Sequence, residues 1–398
     1  NWNDMMDEDT LTFGLTETQR EMVMSVRRLA QQRFKDRWRQ WQDGTFPWEN
    51  MRDLAEIGVL SMSVPKAYGG LSMSVLDAAL ILEEIAKVCY VTAMAVLGEV
   101  GTQTWMIAHF APENIKRDIL PRVAAGSAVL SICMTEPDAG TDLGRIRTKV
   151  TRDDNELILS GTKTLISRAD VAEGFVVFAR IGDTPGVGGI GGVYVERDTP
   201  GMTVNTAYHT IGGEYLSEVV FDQCRIPSTH LLVDSGGFKD LISAFNIQRC
   251  LNASISLGLG EGALEESIRY MRERKAYDQR IGDFQGMRWK VAEMYRDIEA
   301  SRSLLYRACV SANPFPDPIL AALAKMTCNQ MSLRVTSEAV QIHGGYGFVE
   351  EFLVARQYCC ARYGSLGGGT TETLSNLVGR TLVDGLDDAD GLLGYHNY

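Results

Sequence analysis

The sequence has few histidines and no cysteines at C-x-x-C spacing. Its five histidines are dispersed along the chain, and its eight cysteines show no C-x-x-C spacing. Metal centres and disulfide frameworks are normally built from clusters of these residues. The sequence therefore predicts reduced thiols, no metal site and a cytoplasmic protein.

The sequence also lacks an excess of positive charge and a long apolar run. Lysine and arginine number 39 against 51 aspartates and glutamates, a net charge of −12, and the basic residues form no cluster. A nucleic-acid partner is therefore not expected. No stretch approaches the roughly 20 apolar residues of a membrane span, and the opening "NWNDMMDEDT" is acidic, unlike a signal peptide. We expect no membrane association.

The hydrophobic pattern indicates three regions in an α+β multidomain fold. Apolar residues recur every three or four positions in "ETQREMVMSVRRLAQQRF", which predicts a helical domain over residues 1–128. Short β-rich runs such as "ELILSG", "GFVVFAR", "GGVYVER" and "SEVVFDQC" predict an antiparallel barrel or sandwich over 129–235. Long amphipathic helices return over 236–398, which predicts a C-terminal helical bundle.

The stretch "SICMTEPDAGTDLGRIRTKV" opens the β region and has the composition of a ligand site. Gly140 lets a ligand approach the backbone, while Thr135 and Thr141 supply hydroxyl groups. These features suit a flat ligand with polar edges and a phosphate tail. Taken alone, the same residues are equally well explained as a turn.

Two later stretches, "RERKAYDQRIGDFQ" and "AVQIHGGYGFVEEFLVARQY", add an arginine suited to pyrophosphate and an amide beside a glycine pair. With these motifs in this order, the chain resembles the acyl-CoA dehydrogenase superfamily over nearly its whole length. The resemblance implies helical, β and four-helix-bundle domains that bind FAD and an acyl-CoA thioester. It also implies a homotetramer, or at least a homodimer, in which each FAD is shared between two chains.

The resemblance also implies roles for individual residues. Met134 and Thr135 would line the flavin edge, and Thr141 would lie near the pyrophosphate or CoA. Ser167 stands where the family usually has a threonine that reaches flavin N5. The remaining implied FAD contacts are in three groups: Arg274, Tyr277 and Gln285 toward the neighbouring subunit's FAD; Gln341, Gly344 and Gly345 at the pyrophosphate; and Thr370 and Glu372, which close over the cofactor.

The sequence departs from the family at the proton-accepting residue. The family's aromatic-Glu-Gly-Thr motif matches Gly367 to Thr370, so the glutamate falls on Gly368. A minority of members keep this base one residue before an arginine, where "AFNIQRCLNA" has Gln248 and Arg249. An amide does not accept a proton at neutral pH. Gly368, Gln248 and Arg249 are therefore the candidate catalytic positions. A further departure is Leu165, where the family commonly has a tryptophan.

Several functions are compatible with the absence of the family's proton-accepting glutamate. The substrate can be an activated acyl-CoA, conjugated or cyclic, whose oxidation needs little help from a base. The electrons would pass to O2, as in an oxidase or oxygenase of specialised or aromatic-derived metabolism, or to an electron-transferring flavoprotein. An enoyl-CoA reductase or a desulfinase-type lyase is the alternative, although "CYVTAMAVLGEVG" lacks the arginine on which the desulfinase branch depends. The last two possibilities are ordinary dehydrogenation with a displaced base and a catalytically silent FAD-binding subunit.

Overall fold

The structure, a computed structural model, describes residues 14–385; the first and last residues of the predicted terminal domains, 1–13 and 386–398, lie outside it. The chain begins with a helical region. Its principal helices are α1 Glu17–Leu29, α2 Trp48–Glu56, α3 Val75–Ala86, α4 Tyr90–Glu99, α5 Thr102–Phe110 and α6 Glu113–Ala124. A π-helical turn, Ala30–Phe34, continues α1.

Capping residues explain where two of these helices start. Thr16 accepts a hydrogen bond from the Gln19 amide, and the Gln19 side chain accepts one from the Thr16 amide. Ser74 and Asp77 form the same reciprocal arrangement at the start of α3. Each pair satisfies two amide groups that have no partner inside the helix.

The middle of the chain forms one eight-stranded sheet. Its strands are β1 Leu130–Cys133, β2 Lys149–Asp153, β3 Glu156–Ser167, β4 Gly174–Ile181, β5 Ile190–Glu196, β6 Met202–His209, β7 Tyr215–Pro227 and β8 Leu231–Val233. They lie in the order β6-β7-β3-β2-β4-β5-β8, and β1 also pairs with β4. Most pairs are antiparallel, but β1 and β2 run parallel to β4, with Leu130 opposite Gly174.

The last region consists of long helices. They are α7 Phe238–Glu273, α8 Gln285–Val310, α9 Pro318–His343, α10 Leu353–Gly364 and α11 Thr371–Gly385. The short strands β9 Lys275–Ala276 and β10 Gln279–Arg280 form a hairpin between α7 and α8. Gly258 of α7 lies against the Glu83 carbonyl of α3, where a side chain would clash. This close approach lets the first and last helical regions share one apolar core.

Buried charges joining these helices are paired. The Lys87 ammonium lies 2.9 Å from Glu84 and 2.7 Å from Glu261, and the Arg302 guanidinium contacts Glu261 at 2.8 Å as well as Glu83. A charge removed from water needs such partners because its desolvation is costly. The network therefore fixes α3, α7 and α8 relative to one another.

The order of a helical, a β and a second helical region confirms the predicted fold class. All four quoted β-rich runs lie in strands, namely β3, β4, β5 and β7. The helical region ends at Ala124 and the sheet begins at Leu130, while α7 begins at Phe238. Within residues 14–385, no helix combines the length and apolar character needed to cross a bilayer.

Candidate active site

A cavity of about 550 Å³ lies between the sheet and the two helical regions. α4 forms one wall, the ends of β1 and β3 form a second, and the start of α7 with the glycine-rich loop after α10 closes it. Of the predicted site residues, eight line this one cavity: Met134, Thr135, Thr141, Ser167, Gln248, Arg249, Gly368 and Thr370. Positions separated by more than 200 residues in sequence are thus brought together by the packing of sheet on helices.

The end of β3 is irregular where it borders the cavity. The pairing register with β7 shifts between Lys163 and Ile166, and Leu165 has a φ of 58°. A bulge of this kind redirects a side chain, and a left-handed Leu backbone costs about 1–3 kcal/mol. Leu165 remains 51% exposed at the cavity wall. The strained backbone thus presents Leu165 to the cavity.

A buried ion pair supports the β1 side of the cavity. Lys163 is fully buried, and its ammonium contacts the Glu136 carboxylate at 2.8 Å and donates to the Met134 carbonyl at 3.0 Å. Glu136 also accepts hydrogen bonds from the Arg147 and Thr148 amides. These contacts fix the backbone of Met134 and Thr135 where it borders the cavity.

The glycine-rich loop is held from behind by α9. The Lys325 ammonium donates to the Gly364 and Gly369 carbonyls at 2.6 and 3.0 Å, and the Asn329 amide donates to the Gly364 carbonyl at 2.6 Å. Gly368 has a φ of 73°, a conformation that favours glycine. A Cβ added at Gly368 would lie 3.4 Å from Lys325 Cε and 3.9 Å from Gln248 Cγ. Gly368 and Gln248 therefore face the same small space.

Gln248 and Arg249 carry polar atoms that have no protein partner. Gln248 Oε1 and Arg249 Nε are buried and accept or donate no hydrogen bond within the described residues. Arg249 is 9% exposed, and its Nη1 donates to the Asn246 amide oxygen at 2.7 Å. Burial lowers the pKa of Arg249 below its ordinary value. Unsatisfied groups of this kind on a cavity wall suit a polar ligand.

Glu214, in the turn before β7, was missed by the sequence interpretation. It is the one carboxylate among the cavity-lining residues of the described chain. Tyr90 donates a hydrogen bond to it at 3.3 Å. Burial raises the pKa of Glu214 to about 7, against the opposing effects of the Tyr90 hydroxyl and the Arg168 charge. The contact between Glu214, in the stretch "IGGEY", and Tyr90 of α4 could not be predicted from the local sequence.

An arginine does border the cavity, although it comes from the turn after β3 and not from α4. Arg168 lies 3.7 Å from Glu99 and donates to the Met94 and Ala95 carbonyls. Gly98 makes room for it, because a side chain there would clash with the guanidinium. The stretch "CYVTAMAVLGEVG", which includes α4, contains no arginine, but Arg168 supplies one to the cavity from elsewhere in the chain.

A second, open groove contains other predicted cofactor residues. Arg274, Gly344 and Gly345 line it, and the Arg274 guanidinium lies 5.8 Å from the Tyr346 ring centroid. Four further predicted residues line neither of these two cavities: Tyr277, Gln285, Gln341 and Glu372. Tyr277 is 91% exposed and has a φ of 50°. Within one chain, the predicted FAD residues thus do not line a single cavity.

The main cavity has the chemical character that FAD requires. The residues that line it include Thr135, Thr141 and Ser167, which carry hydroxyl groups, and apolar residues such as Leu143 and Ile242. The space beside Gly140 is open, so a ligand can reach its backbone. Its volume falls within the usual range for ligand cavities.

Comparisons with known proteins show to which family the chain belongs. Residues 16–127, 131–224 and 235–383 match the N-terminal, middle and C-terminal domains of acyl-CoA dehydrogenase. The chain belongs to the acyl-CoA dehydrogenase family. FAD is accordingly its cofactor and an acyl-CoA its substrate. Among the residues described, no group of three histidines, cysteines or carboxylates is placed to hold a metal ion.

Relatives within the family differ in the reactions for which they are named. The chain is 31% identical to a 3-sulfinopropanoyl-CoA desulfinase of Paraburkholderia xenovorans, covering 93% of this chain and 97% of the relative. It is also 31% identical to cyclohex-1-ene-1-carbonyl-CoA dehydrogenase of Syntrophus aciditrophicus, covering 93% and 91%. A glutaryl-CoA dehydrogenase from Mycobacterium smegmatis in complex with FADH2 superposes with a TM-score of 0.88 at 26% identity, covering 96% and 97%.

Proposed function

We propose that this enzyme oxidises an activated acyl-CoA, in which a conjugated or cyclic acyl group makes the reacting C–H bond acidic. The observation that carries the proposal is the pairing of Gly368 with Gln248 across one small space, with no carboxylate at either position. The resemblance places the family's proton acceptor at one of these two positions. A substrate with an acidic C–H bond has less need of that acceptor.

The chain's own residues then bind and orient the substrate. Bound FAD supplies the two-electron oxidation. Gln248 can hydrogen-bond an acyl oxygen through its amide, although it does not remove a proton. Buried Arg249 beside it provides a fixed positive charge. Loss of a general base is worth about 10²–10⁴ in rate, so simple saturated acyl-CoAs should react more slowly by this factor.

The relative that is named for a cyclic acyl-CoA supports this substrate class. Cyclohex-1-ene-1-carbonyl-CoA, named for the Syntrophus enzyme, is a conjugated cyclic acyl-CoA. We further propose that O2 accepts the electrons, as in an oxidase or oxygenase, since glycine at 368 and leucine at 165 leave space in the cavity. An electron-transferring flavoprotein is the other acceptor. A homotetramer or homodimer, in which the groove at Arg274 faces a second chain, belongs to the same proposal.

The experiment mixes the FAD-loaded protein with matched acyl-CoAs in the absence of oxygen and follows bleaching of the flavin absorbance. Cyclohex-1-ene-1-carbonyl-CoA should bleach the flavin, while the saturated, unconjugated butyryl-CoA and octanoyl-CoA should do so at least about 100-fold more slowly. Readmitting air then shows whether oxygen is consumed. Equal rates for both classes would contradict the proposal.

A second candidate is ordinary dehydrogenation with a displaced base, which Glu214 favours. Its carboxyl lines the cavity and has a pKa of about 7, a value suited to a proton acceptor at neutral pH. Under this candidate, Glu214→Gln lowers the rate of flavin reduction by about 10²–10⁴-fold. Under the first proposal, the same variant changes that rate by less than about tenfold.

Reductase and lyase reactions form a third candidate, which the sulfinopropanoyl relative favours. A reductase would draw electrons from an external donor and would show no oxygen uptake with a saturated acyl-CoA. A lyase would release a small acidic product without net bleaching of the flavin. A catalytically silent subunit would show no turnover until a partner chain is added.

A further inference from the structure

Between residues 14 and 385, buried positive charges are paired with carboxylates except for two side chains. Six lysine and arginine side chains are buried in the described part of the chain: Lys87, Lys163, Arg168, Arg249, Arg302 and Lys325. The first three and Arg302 each contact a glutamate. Arg249 and Lys325 form no ion pair with any carboxylate between residues 14 and 385; their hydrogen bonds go to neutral oxygens.

Of the two unpaired cations, Lys325 lies next to Gly368, and Arg249 follows Gln248, the other neighbour of Gly368, in α7. Lys325 Cε would be 3.4 Å from a Cβ added at Gly368, and Gln248, the residue preceding Arg249, would be 3.9 Å away. The charges also affect one another, since burial and the charge of Arg249 together lower the pKa of Lys325 to about 7. A carboxylate at 368 would neutralise this region. Glycine leaves it positive and open to the cavity.

A buried guanidinium without an anion is unfavourable, and arginine does not lose its proton to relieve the cost. Arg249 lines the cavity, and its Nε has no partner within the described residues. A ligand that brings an anionic oxygen to this point removes the cost. Glu214 does not serve this purpose, because it forms no ion pair with Arg249 and receives its hydrogen bond from Tyr90.

We propose that the space beside Gly368 binds an anionic substituent of the acyl group, so that the substrate is a CoA thioester with a second acidic group. Arg249 is the specificity-determining residue, Gln248 supplies a further hydrogen bond, and Lys325 adds positive charge from behind the loop. This inference rests on the proposed function, in that it concerns the same acyl cavity. It adds the charge of the substrate, which the proposed oxidation does not require.

The test measures binding by titration calorimetry and does not depend on turnover. FAD-loaded protein is titrated with three matched pairs: malonyl-CoA and propionyl-CoA, succinyl-CoA and butyryl-CoA, glutaryl-CoA and pentanoyl-CoA. Each pair shares the CoA part and the chain length, so the Kd ratio reports the acidic group alone. We expect the acid to bind about ten- to hundredfold more tightly in at least one pair, the range for a hydrogen bond to a charged group.

Two variants locate the effect. Arg249→Gln should bring the Kd ratio close to one, while Arg249→Lys should keep part of it. Gly368→Glu should abolish the preference by supplying the missing carboxylate, whereas Gly368→Gln, which fills the same volume without charge, should weaken both members of a pair equally. If Arg249→Gln does not fold, the two Gly368 variants still decide the question.

A ratio below about threefold in every pair, or an unchanged ratio in Arg249→Gln, would overturn the inference. These outcomes are separate from the proposed function. A protein that oxidises cyclohex-1-ene-1-carbonyl-CoA but shows no charge preference retains the proposed oxidation and loses only the acidic subsite. A protein that has the charge preference but is reduced equally by both acyl classes retains the acidic subsite and loses the proposed oxidation.

Discussion

The Lys325 ammonium donates to the carbonyls of Gly364 and Gly369, on both sides of Gly368. This one buried side chain therefore holds the loop at the position where the family's carboxylate is expected. The loop is held through its backbone carbonyls at 364 and 369, and neither of these contacts involves residue 368.

Gly368→Glu should increase dehydrogenation of simple saturated acyl-CoAs, by up to about 10²–10⁴-fold, because it restores a carboxylate opposite Gln248. The backbone φ of 73° should make the variant less stable by about 1–2 kcal/mol. Flavin reduction by butyryl-CoA and octanoyl-CoA measures the gain. Gly368→Gln is the control, since it has the same strain and no carboxylate; an equal gain in both variants would mean that the charge is not responsible.

Glu214→Gln should change how stability depends on pH. The carboxyl has a folded pKa of about 7 against an ordinary value of 4.5, so the folded state holds this proton more strongly. Its contribution is fully present below pH 4.5 and is lost as the pH rises through 7. The wild-type free energy of unfolding should therefore fall more than that of Glu214→Gln between about pH 5 and 7, by about 1–3 kcal/mol.

Glu83 and Glu99 also have pKa values raised to about 7, mainly by burial. Both are present in wild type and variant, so the difference between the two unfolding curves isolates Glu214. Parallel curves over this pH range would show that Glu214 titrates normally in the folded protein.

Lys163→Met should reduce the free energy of unfolding by about 3–5 kcal/mol, because it leaves Glu136 buried without its partner. It should also weaken FAD binding, since Lys163 holds the Met134 carbonyl beside the cavity. Denaturant unfolding and flavin fluorescence on dialysis measure the two effects. The double variant Lys163→Met with Glu136→Leu should recover much of the stability; no recovery would mean that the ion pair is not the cause.

Binding of an acidic acyl-CoA should be accompanied by proton uptake. Burial and Arg249 lower the pKa of Lys325 to about 7, so at pH 8 much of it is neutral, and a ligand anion beside it favours the charged form. The groups facing its ammonium are the carbonyls of Gly364 and Gly369.

Calorimetry of succinyl-CoA binding in two buffers of different ionisation enthalpy detects this proton. Butyryl-CoA is the matched control and should show no uptake. Equal uptake with both ligands would assign the proton to a group that senses the CoA part, and not to Lys325.

Dilution should release FAD if a second chain completes its binding. Arg274 and Tyr346 lie in the open groove, apart from the main cavity. Flavin fluorescence should therefore rise as the protein is diluted through its dissociation range, and Arg274→Ala should shift this rise to higher protein concentration. Retention of FAD by a monomer in sedimentation experiments would contradict the shared site.

The sequence was sufficient for the three regions, and its motifs predicted eight of the residues that line the cavity. Periodicity located the helices and the four principal β runs, and the motifs brought Met134, Ser167, Gln248 and Gly368 to one place. Glu214 could not be found in this way, because its role depends on the β6–β7 turn packing against Tyr90, a contact across 124 positions. The unpaired state of Lys325 is likewise a property of packing, since a single lysine in an amphipathic helix is normally solvent-exposed.

On the α4 side of the cavity, the position of a buried cation depends on Gly98. The absence of a side chain at position 98 makes room for the Arg168 guanidinium, which donates to the Met94 and Ala95 carbonyls from the turn after β3. A single methyl group, as in Gly98→Ala, would displace that cation and leave Glu99 without it. The positive charge beside Glu99 therefore depends on an atom that the chain omits: without room at position 98, the guanidinium has no place against α4.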